Sequence, residues 1–250
     1  MFLDKSLLKR CLFVDIETVS ECAEYNDLTD VKKHLWDLKA QQLSRLLPLT
    51  DTPPDASSLY VEKAGIFSEF AKVVCISMGF LNFKDDAPTE IKIKSLFGDD
   101  EKAILEDFTK LLNSHFGDTE TSRISGHNIK EFDIPFLCRR LVVHQIPFPA
   151  MLDISGKKPW QTTHIQDTMD MWRFGDYKSY TSLQLLAGTL GIDSPKDDID
   201  GSMVGQVYWQ DHDLERIVHY CQKDVVTVAQ IMLRYAGLNL IGENNIIIAN

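Results

Sequence analysis

Residues 11–18 alternate between two faces in the manner of a β-strand. One face carries only aliphatic side chains, those of Leu12, Val14 and Ile16. The other face carries Phe13, Asp15 and Glu17, so the two carboxylates lie one pleat apart on the same side. A strand with a solvated polar face fits this spacing as well. Phe13 on the acidic face favours a central strand whose two acids have a function.

Four further strands are indicated downstream by apolar or alternating runs with polar boundaries. We expect them over residues 72–81, 90–97, 123–126 and 165–168. Helices are indicated where apolar residues recur every three or four positions. We expect these after Asp99 and Asp100, which can cap a helix, from Pro135 through Val143, over 181–190 and over 212–236.

Residues 21–71 are more polar than the strands on either side and contain three prolines between positions 48 and 54. We interpret them as a helical insertion between the first and second strands, with a helix around 28–47. A meander of three strands, followed by strands that alternate with helices, predicts an α/β fold with a mixed sheet. The length of 250 residues suits one domain, so residues 1–250 are expected to form a single unit.

The composition, with 44% hydrophobic and 25% charged residues, is that of a globular protein. Its net charge of −11 predicts weak non-specific attraction to nucleic acid, although the total charge does not describe an individual groove. No apolar run approaches the roughly 18 residues of a membrane span. The five cysteines form no CxxC pair, which favours core thiols in a reducing compartment over disulfides or zinc ligands. We therefore expect a cytoplasmic protein without a membrane partner.

Three short acidic passages are the main candidates for chemistry: CLFVDIET, GHNIKEFD and YCQKD. They place Asp15, Glu17, Asp133 and Asp224 at the edges of apolar segments. Carboxylates at such positions cost desolvation free energy unless their charge is compensated. Mg²⁺ provides this compensation and keeps water ligands that a phosphate group can replace. The pattern predicts a phosphodiesterase that binds two divalent metal ions.

The motifs DIET, GHN-x3-FD and Y-x3-D, in this order, resemble those of the DEDD superfamily of 3′→5′ exonucleases. Within that superfamily the chain is similar to the DEDDy subgroup, and to the proofreading exonuclease domain of family B DNA polymerases in a stand-alone form. The segments DTMDMWRF and SLQLLAGTLGI resemble the same subgroup, and the similarity extends over roughly residues 10–235. The resemblance implies a ribonuclease H-like fold, with an antiparallel three-strand meander followed by parallel strands.

The resemblance also implies roles for individual residues. Asp15, Glu17 and Asp224 would bind one metal ion, Mg²⁺ or Mn²⁺. Asp15 would contact a second ion, with Asp133 close by through water. The Tyr220 hydroxyl would orient the attacking water. Three further positions would hold the terminal nucleotide, namely the backbone around Thr18 together with Asn128 and Phe132.

The segment HYCQKD fits two subgroups, because a sister subgroup places a histidine five residues before the last aspartate and His219 has that spacing. On a helix, Tyr220 lies about 40° from Asp224 and His219 about 140° away. We therefore choose Tyr220 as the site residue and interpret His219 as a surface or capping residue.

Other acidic and titratable positions are interpreted as structural. The loop 196–202 does not match a calcium loop, since Lys196 falls at the first ligand position. Asp167 and Asp170 are left out of the ligand set because such acids commonly cap helices. His127 is expected to be a hydrogen-bonded structural residue.

Two functions are compatible with these observations. The first is a two-metal 3′→5′ exonuclease that releases nucleoside 5′-monophosphates from single-stranded 3′ ends, with DNA favoured over RNA. The second is an inactive nucleic-acid-binding or scaffold domain that keeps the fold. The four acids favour the enzyme, because unused carboxylates in a cluster would only repel one another.

Overall fold

Six strands form one sheet in the computed structural model, which describes residues 3–46, 54–178, 180–193 and 199–249. The strands are β1 (Cys11–Ser20), β2 (Ala71–Lys84), β3 (Ala87–Phe97), β4 (Arg123–Gly126), β5 (Ile165–Asp167) and β6 (Ile246–Ala249). Their order across the sheet is β5-β4-β1-β2-β3-β6. Strands β1, β2 and β3 form an antiparallel meander, whereas β4 and β5 run parallel to β1 and β6 runs parallel to β3. The predicted mixed sheet of ribonuclease H-like type is confirmed.

The described residues contain eight α-helices, which pack around this sheet. They are α1 (Asp30–Ser44), α2 (Ala56–Lys63), α3 (Glu101–His115), α4 (Asp133–Val143), α5 (Thr168–Arg173), α6 (Leu183–Thr189), α7 (Val204–Gln206) and α8 (Leu214–Tyr235). Short 3₁₀ segments cover Lys5–Arg10, Tyr25–Asp27, Ala64–Ile66, Pro159–Gln161 and Glu243–Asn245, and a π-helical turn covers Val207–Asp211. None of the helices in the described ranges has both the length and the hydrophobicity to cross a membrane.

The two faces of β1 pack against different helices, as its alternation predicts. Leu12, Val14 and Ile16 belong to a buried cluster that includes the apolar faces of α3 and α4. Phe13 points to the other side and packs with Val225 and Val228 of α8. Because side chains on a strand alternate, Asp15 and Glu17 share the face of Phe13 and are directed toward α8.

The segment between β1 and β2 contains two helices, whereas we expected a single helix around 28–47. Helix α1 begins after Thr29, whose hydroxyl accepts a hydrogen bond from the backbone of Lys32, and it ends at Ser44. Residue 47 of the expected helix lies outside the described residues. Helix α2 was not predicted because its eight residues carry only a weak apolar stripe. Both helices pack around the buried indole of Trp36, whose Nε1 donates to the carbonyl of Ala56 at 2.7 Å.

A buried charge network fastens α4 to α3. The Arg140 guanidinium donates to Glu101 through Nε at 2.9 Å and Nη2 at 2.6 Å, and to the carbonyl of Ser68 at 2.8 Å. The Glu101 carboxylate also accepts from the backbone of Val73 and lies 2.6 Å from Nε2 of His144. These contacts compensate both buried charges and hold α4 in place, which matters because Asp133 begins that helix.

Strand β6 was also missed by the pattern analysis. The run of three isoleucines followed by alanine is short and does not alternate, so it carries no clear period. Only its pairing with residues 91–94 of β3, about 150 positions earlier in the chain, makes it a strand. Helix α5 was missed for a related reason, since its six residues are too few to show helical spacing.

Candidate active site

Strand β1, helix α4 and helix α8 direct their acidic side chains into one cavity of about 410 Å³. Its lining includes seven of the eight predicted site residues, namely Asp15, Glu17, Asn128, Phe132, Asp133, Tyr220 and Asp224. The eighth, Thr18, lies beside a shift in strand register after Glu17, and its hydroxyl donates to the carbonyl of Gly65 at 2.7 Å. Three motifs that are far apart in the chain therefore meet at one place.

The two acids of β1 lie close to a thiol of α8. One ligand atom each from Asp15, Glu17 and Cys221 falls within 4.8 Å of the others. The Glu17 side chain is only 7% exposed. Asp15 Oδ2 is buried and accepts no hydrogen bond from any described residue. A buried carboxylate oxygen without a donor is an energetic cost that a bound cation would remove.

The electrostatics of the cavity reflect crowded negative charge. Burial, followed by repulsion from Asp224 and Asp133, holds the pKa of Asp15 well above its usual range. Burial and the neighbouring Asp15 do the same to the pKa of Glu17. Burial raises the pKa of Asp133 to about 7, although backbone hydrogen bonds at Asp133 and Ile16 act in the opposite direction. These carboxylates ionise with difficulty on their own. They fit a site for a hard divalent cation, because a bound cation favours their charged forms.

Asp133 reaches the cavity because of the tight connection between β4 and α4. A Cβ on Gly126 would lie 2.8 Å from the carbonyl oxygen of Val14 and 2.8 Å from the side chain of Ile129. Glycine at this position therefore lets the end of β4 lie close against β1, its parallel neighbour, and against Ile129. Asn128 then adopts a left-handed conformation with φ of 60°, and its Oδ1 is buried without a hydrogen bond from the described residues.

Asp167 supports this connection from behind, a role that the sequence analysis did not identify. Its buried carboxylate accepts hydrogen bonds from the backbone of Asn128 at 3.0 Å and of Lys130 at 3.1 Å. It also caps α5 by accepting from the backbone of Met169 and Asp170. Leaving Asp167 out of the predicted ligand set agrees with these contacts, because its oxygens are occupied by N–H donors.

Two other residues set aside in the sequence analysis also have structural partners. Asp170 pairs with Lys130 at 2.8 Å. His127 contacts the Thr168 hydroxyl and the carbonyl of Thr181, each at 2.9 Å, and burial lowers its pKa. The expected hydrogen bonds of His127 are confirmed, and the residue also lines the cavity.

On helix α8, Tyr220 and His219, the two candidate residues of the third motif, face different cavities. Tyr220 is half-buried, lines the cavity and hydrogen-bonds to the Asp224 carboxylate. His219 is exposed and faces a different cavity, together with Gln222 and Lys223. Burial, followed by repulsion from Asp224 and Glu17, raises the pKa of the Tyr220 hydroxyl far above its usual value. The hydroxyl is therefore protonated at neutral pH.

The rim of the cavity includes residues that the sequence analysis did not assign. Tyr180 and Ser182 come from the segment before α6, and Asp200 and Gly201 come from the segment before α7. The earlier part of the loop 196–202, through residue 198, lies outside the described residues. The spacing of apolar residues carries no information on a rim of this kind, because loops from distant parts of the chain form it.

Comparison with known proteins adds a family to this geometry. The family described as predicted 3′-5′ exonuclease related to the exonuclease domain of PolB matches residues 66–241, a range that contains the second and third motifs. The solved family B DNA polymerase from the hyperthermophilic archaeon Pyrobaculum calidifontis is similar with a TM-score of 0.51 and 16% identity over 90% of this chain. The chain spans 24% of the length of that polymerase, and at this identity the likeness shows the fold alone. No curated protein matches the chain. Because the family match covers well over half of the sequence, the chain belongs to the predicted 3′-5′ exonucleases related to the exonuclease domain of PolB.

Proposed function

We propose that this protein is a metal-dependent 3′→5′ exonuclease that removes nucleoside 5′-monophosphates from single-stranded nucleic acid. One observation carries the proposal: Asp15, Glu17, Asp133 and Asp224 line the same cavity, and Asp15 has a buried oxygen without a donor. A purely structural domain has no need for this arrangement, which lowers stability unless cations are bound. The family match supports the reaction type.

The acids of the cavity are suited to hold two divalent cations, Mg²⁺ or Mn²⁺. Asp15, Glu17 and Asp224 would hold one ion, and Asp15 together with Asp133 would hold the other. Such a pair, when bound, activates a water molecule and stabilises the charge on the leaving oxygen.

The remaining residues of the cavity bind and orient the reactants. The Tyr220 hydroxyl, which hydrogen-bonds to Asp224, would orient the attacking water. Phe132 would offer its ring to the terminal base, and the Asn128 side chain would contact the terminal sugar or phosphate. These contacts place the terminal phosphodiester beside the carboxylates.

The shape of the cavity favours an unpaired end. A volume of about 410 Å³ lies near the lower end of the range for small-ligand pockets, which suits a single nucleotide better than a paired end. The terminal nucleotide must therefore leave any paired strand before it can reach the acids. DNA is the preferred substrate in this proposal, because the family is related to PolB and the similar structure is a DNA polymerase.

Incubation with 5′-labelled single-stranded DNA or RNA of equal sequence, plus Mg²⁺ or Mn²⁺, tests the proposal. We expect a ladder that shortens from the 3′ end on DNA, with nucleoside 5′-monophosphates as products and no cleavage in EDTA. A 3′-phosphorylated DNA of the same sequence should be degraded more slowly, because the added phosphate brings further negative charge beside the crowded carboxylates.

Two variants separate the enzyme from the inactive binding domain. Asp224→Asn should abolish cleavage, whereas the exposed Asp107→Asn should cleave like the native protein. An inactive domain would instead bind labelled DNA without shortening it. Cleavage by Asp224→Asn at the native rate would show that the reaction does not use this cavity.

A further inference from the structure

The thiol of Cys221 does not line the cavity, but it lies beside two of the acids that do, and the proposed reaction does not use it. Its sulfur lies with one oxygen each of Asp15 and Glu17 in a group whose members are within 4.8 Å of one another. The residue is fully buried in the middle of α8, and its Sγ donates to the main-chain carbonyl of Asp15 at 3.4 Å. The thiol is therefore held by the fold directly beside the two acids of β1.

We infer that Asp15, Glu17 and Cys221 together form a site for a thiophilic divalent cation, Zn²⁺ or Cd²⁺, which competes there with Mg²⁺ or Mn²⁺. The inference rests on the proposed function, since it assigns a second class of metal to the same acids. Mg²⁺ takes oxygen ligands almost exclusively, so the sulfur contributes nothing to its binding. A softer ion gains a sulfur ligand in addition to the carboxylates.

The dimensions of the group suit such an ion. Zinc lies about 2.3 Å from sulfur and about 2.0–2.2 Å from carboxylate oxygen, so two ligands of one tetrahedral ion are about 3.5 Å apart. Atoms up to 4.8 Å apart need to approach one another by up to about 1.3 Å, which requires rotation of the side chains. Glu17 is 7% exposed and accepts no hydrogen bond from the described residues that would have to be broken first. Cys221 gives up one proton to solvent and its weak contact to the carbonyl of Asp15.

The consequence is a metal-selective block of the enzyme. An ion held by sulfur as well as oxygen dissociates more slowly than Mg²⁺ and occupies the carboxylates that the reaction requires. Micromolar Zn²⁺ is therefore expected to inhibit cleavage in the presence of millimolar Mg²⁺.

Titration of the metal-free protein with Cd²⁺ tests the inference without any measurement of cleavage. A thiolate bound to Cd²⁺ gives a charge-transfer band in the ultraviolet, and we expect one equivalent of this band in the native protein. The band should be lost in Cys221→Ser and in Cys221→Ala, and it should persist in Cys75→Ser, which removes a buried neighbouring thiol. Circular dichroism of each variant shows that it is folded.

Two further titrations test whether the ion that gives this band is also bound by the acids. Asp15→Asn keeps the thiol, and it should raise the Cd²⁺ concentration at half-saturation at least about tenfold, since even an outer partner of a metal ligand contributes roughly 10–100-fold. Added Mn²⁺ should shift the native titration to higher Cd²⁺.

Persistence of the band in both Cys221 variants, or a titration that neither Asp15→Asn nor Mn²⁺ alters, would overturn the inference. A protein that shows the band but does not cleave DNA would instead refute the proposed function. The two failures are therefore distinguishable.

Discussion

Replacement of Asp15 by asparagine is expected to stabilise the metal-free protein, although it removes a proposed ligand. Asp15 has a pKa well above its usual range because it is buried beside Asp224 and Asp133. A group with a raised folded-state pKa makes the native state bind more protons than the unfolded state does. Stability then falls as the pH rises from the ordinary carboxyl pKa through the folded-state value, and the full cost is present above that value.

The size of this cost follows from Asp133, whose pKa rises from 3.8 to about 7. About three pKa units at roughly 1.4 kcal/mol each correspond to about 4 kcal/mol for ionising this one group at pH 8. Asp15 is subject to the same two effects, burial and repulsion from neighbouring acids, so removal of its charge should recover part of a cost of this size, on the order of 1–3 kcal/mol. For a chain of this length each kcal/mol changes the Tm by about 2–4 °C, so the variant should melt on the order of 5 °C higher.

Thermal unfolding in EDTA at pH 8 and pH 5, and again with Mn²⁺ at pH 8, measures this effect. In EDTA the advantage of Asp15→Asn should be largest at pH 8 and should shrink at pH 5, where the native carboxyls take up protons. In Mn²⁺ the native protein should gain about 3 kcal/mol at 100 times its Kd, and the variant should gain much less.

The control is Asp107→Asn, which removes an exposed acid that pairs with Lys110 at 2.9 Å. It should leave both melting curves close to those of the native protein. A native protein that is more stable than Asp15→Asn in EDTA at pH 8, with an equal response of both to Mn²⁺, would refute the reasoning. That result would mean that the acids neither repel one another nor bind the ion.

Three other predictions concern the surroundings of the site. Tyr220→Phe should lower the rate constant of cleavage about 10–100-fold in single-turnover assays. His219→Gln should cleave at the native rate. The opposite ranking would assign the protein to the histidine subgroup. Asp167→Asn should raise KM and lower the free energy of unfolding by about 1–3 kcal/mol, because backbone N–H groups of the second motif lose an acceptor. An unchanged KM would limit the role of Asp167 to stability. Burial tends to raise the pKa of Glu101, but the hydrogen bonds that Glu101 accepts from Arg140 and its other partners have the larger effect, so the pKa is lowered overall. Glu101→Gln should therefore lower the free energy of unfolding in urea by about 3–5 kcal/mol at pH 7. This loss should shrink as the pH falls through the lowered pKa of Glu101. A loss that stays constant from pH 7 to pH 3 would contradict the prediction.

The local parts of this fold could be predicted from the sequence because their periods are short. The alternation in residues 11–18 placed Asp15 and Glu17 on one face, and the structure shows that face directed toward α8. The apolar stripe of α8 likewise placed Tyr220 on the side of Asp224. Strand β6 escaped prediction because a short run of isoleucines has no period of its own.

The periodicity of a segment does not say how that segment packs on the others, and the tertiary structure decided this packing. The sequence alone determined which acids were candidates, that β1 carried two of them on one face, and that the fold was a mixed α/β sheet. Only the packing of α8 on β1 brought Cys221 to the acids, and only the close approach of Gly126, at the end of β4, to Val14 of β1 placed Asp133 beside them. The backbone hydrogen bonds of Asp167 join residues 39 and 37 positions apart. Contacts of this range depend on how whole elements pack, and that packing is a property of the complete core.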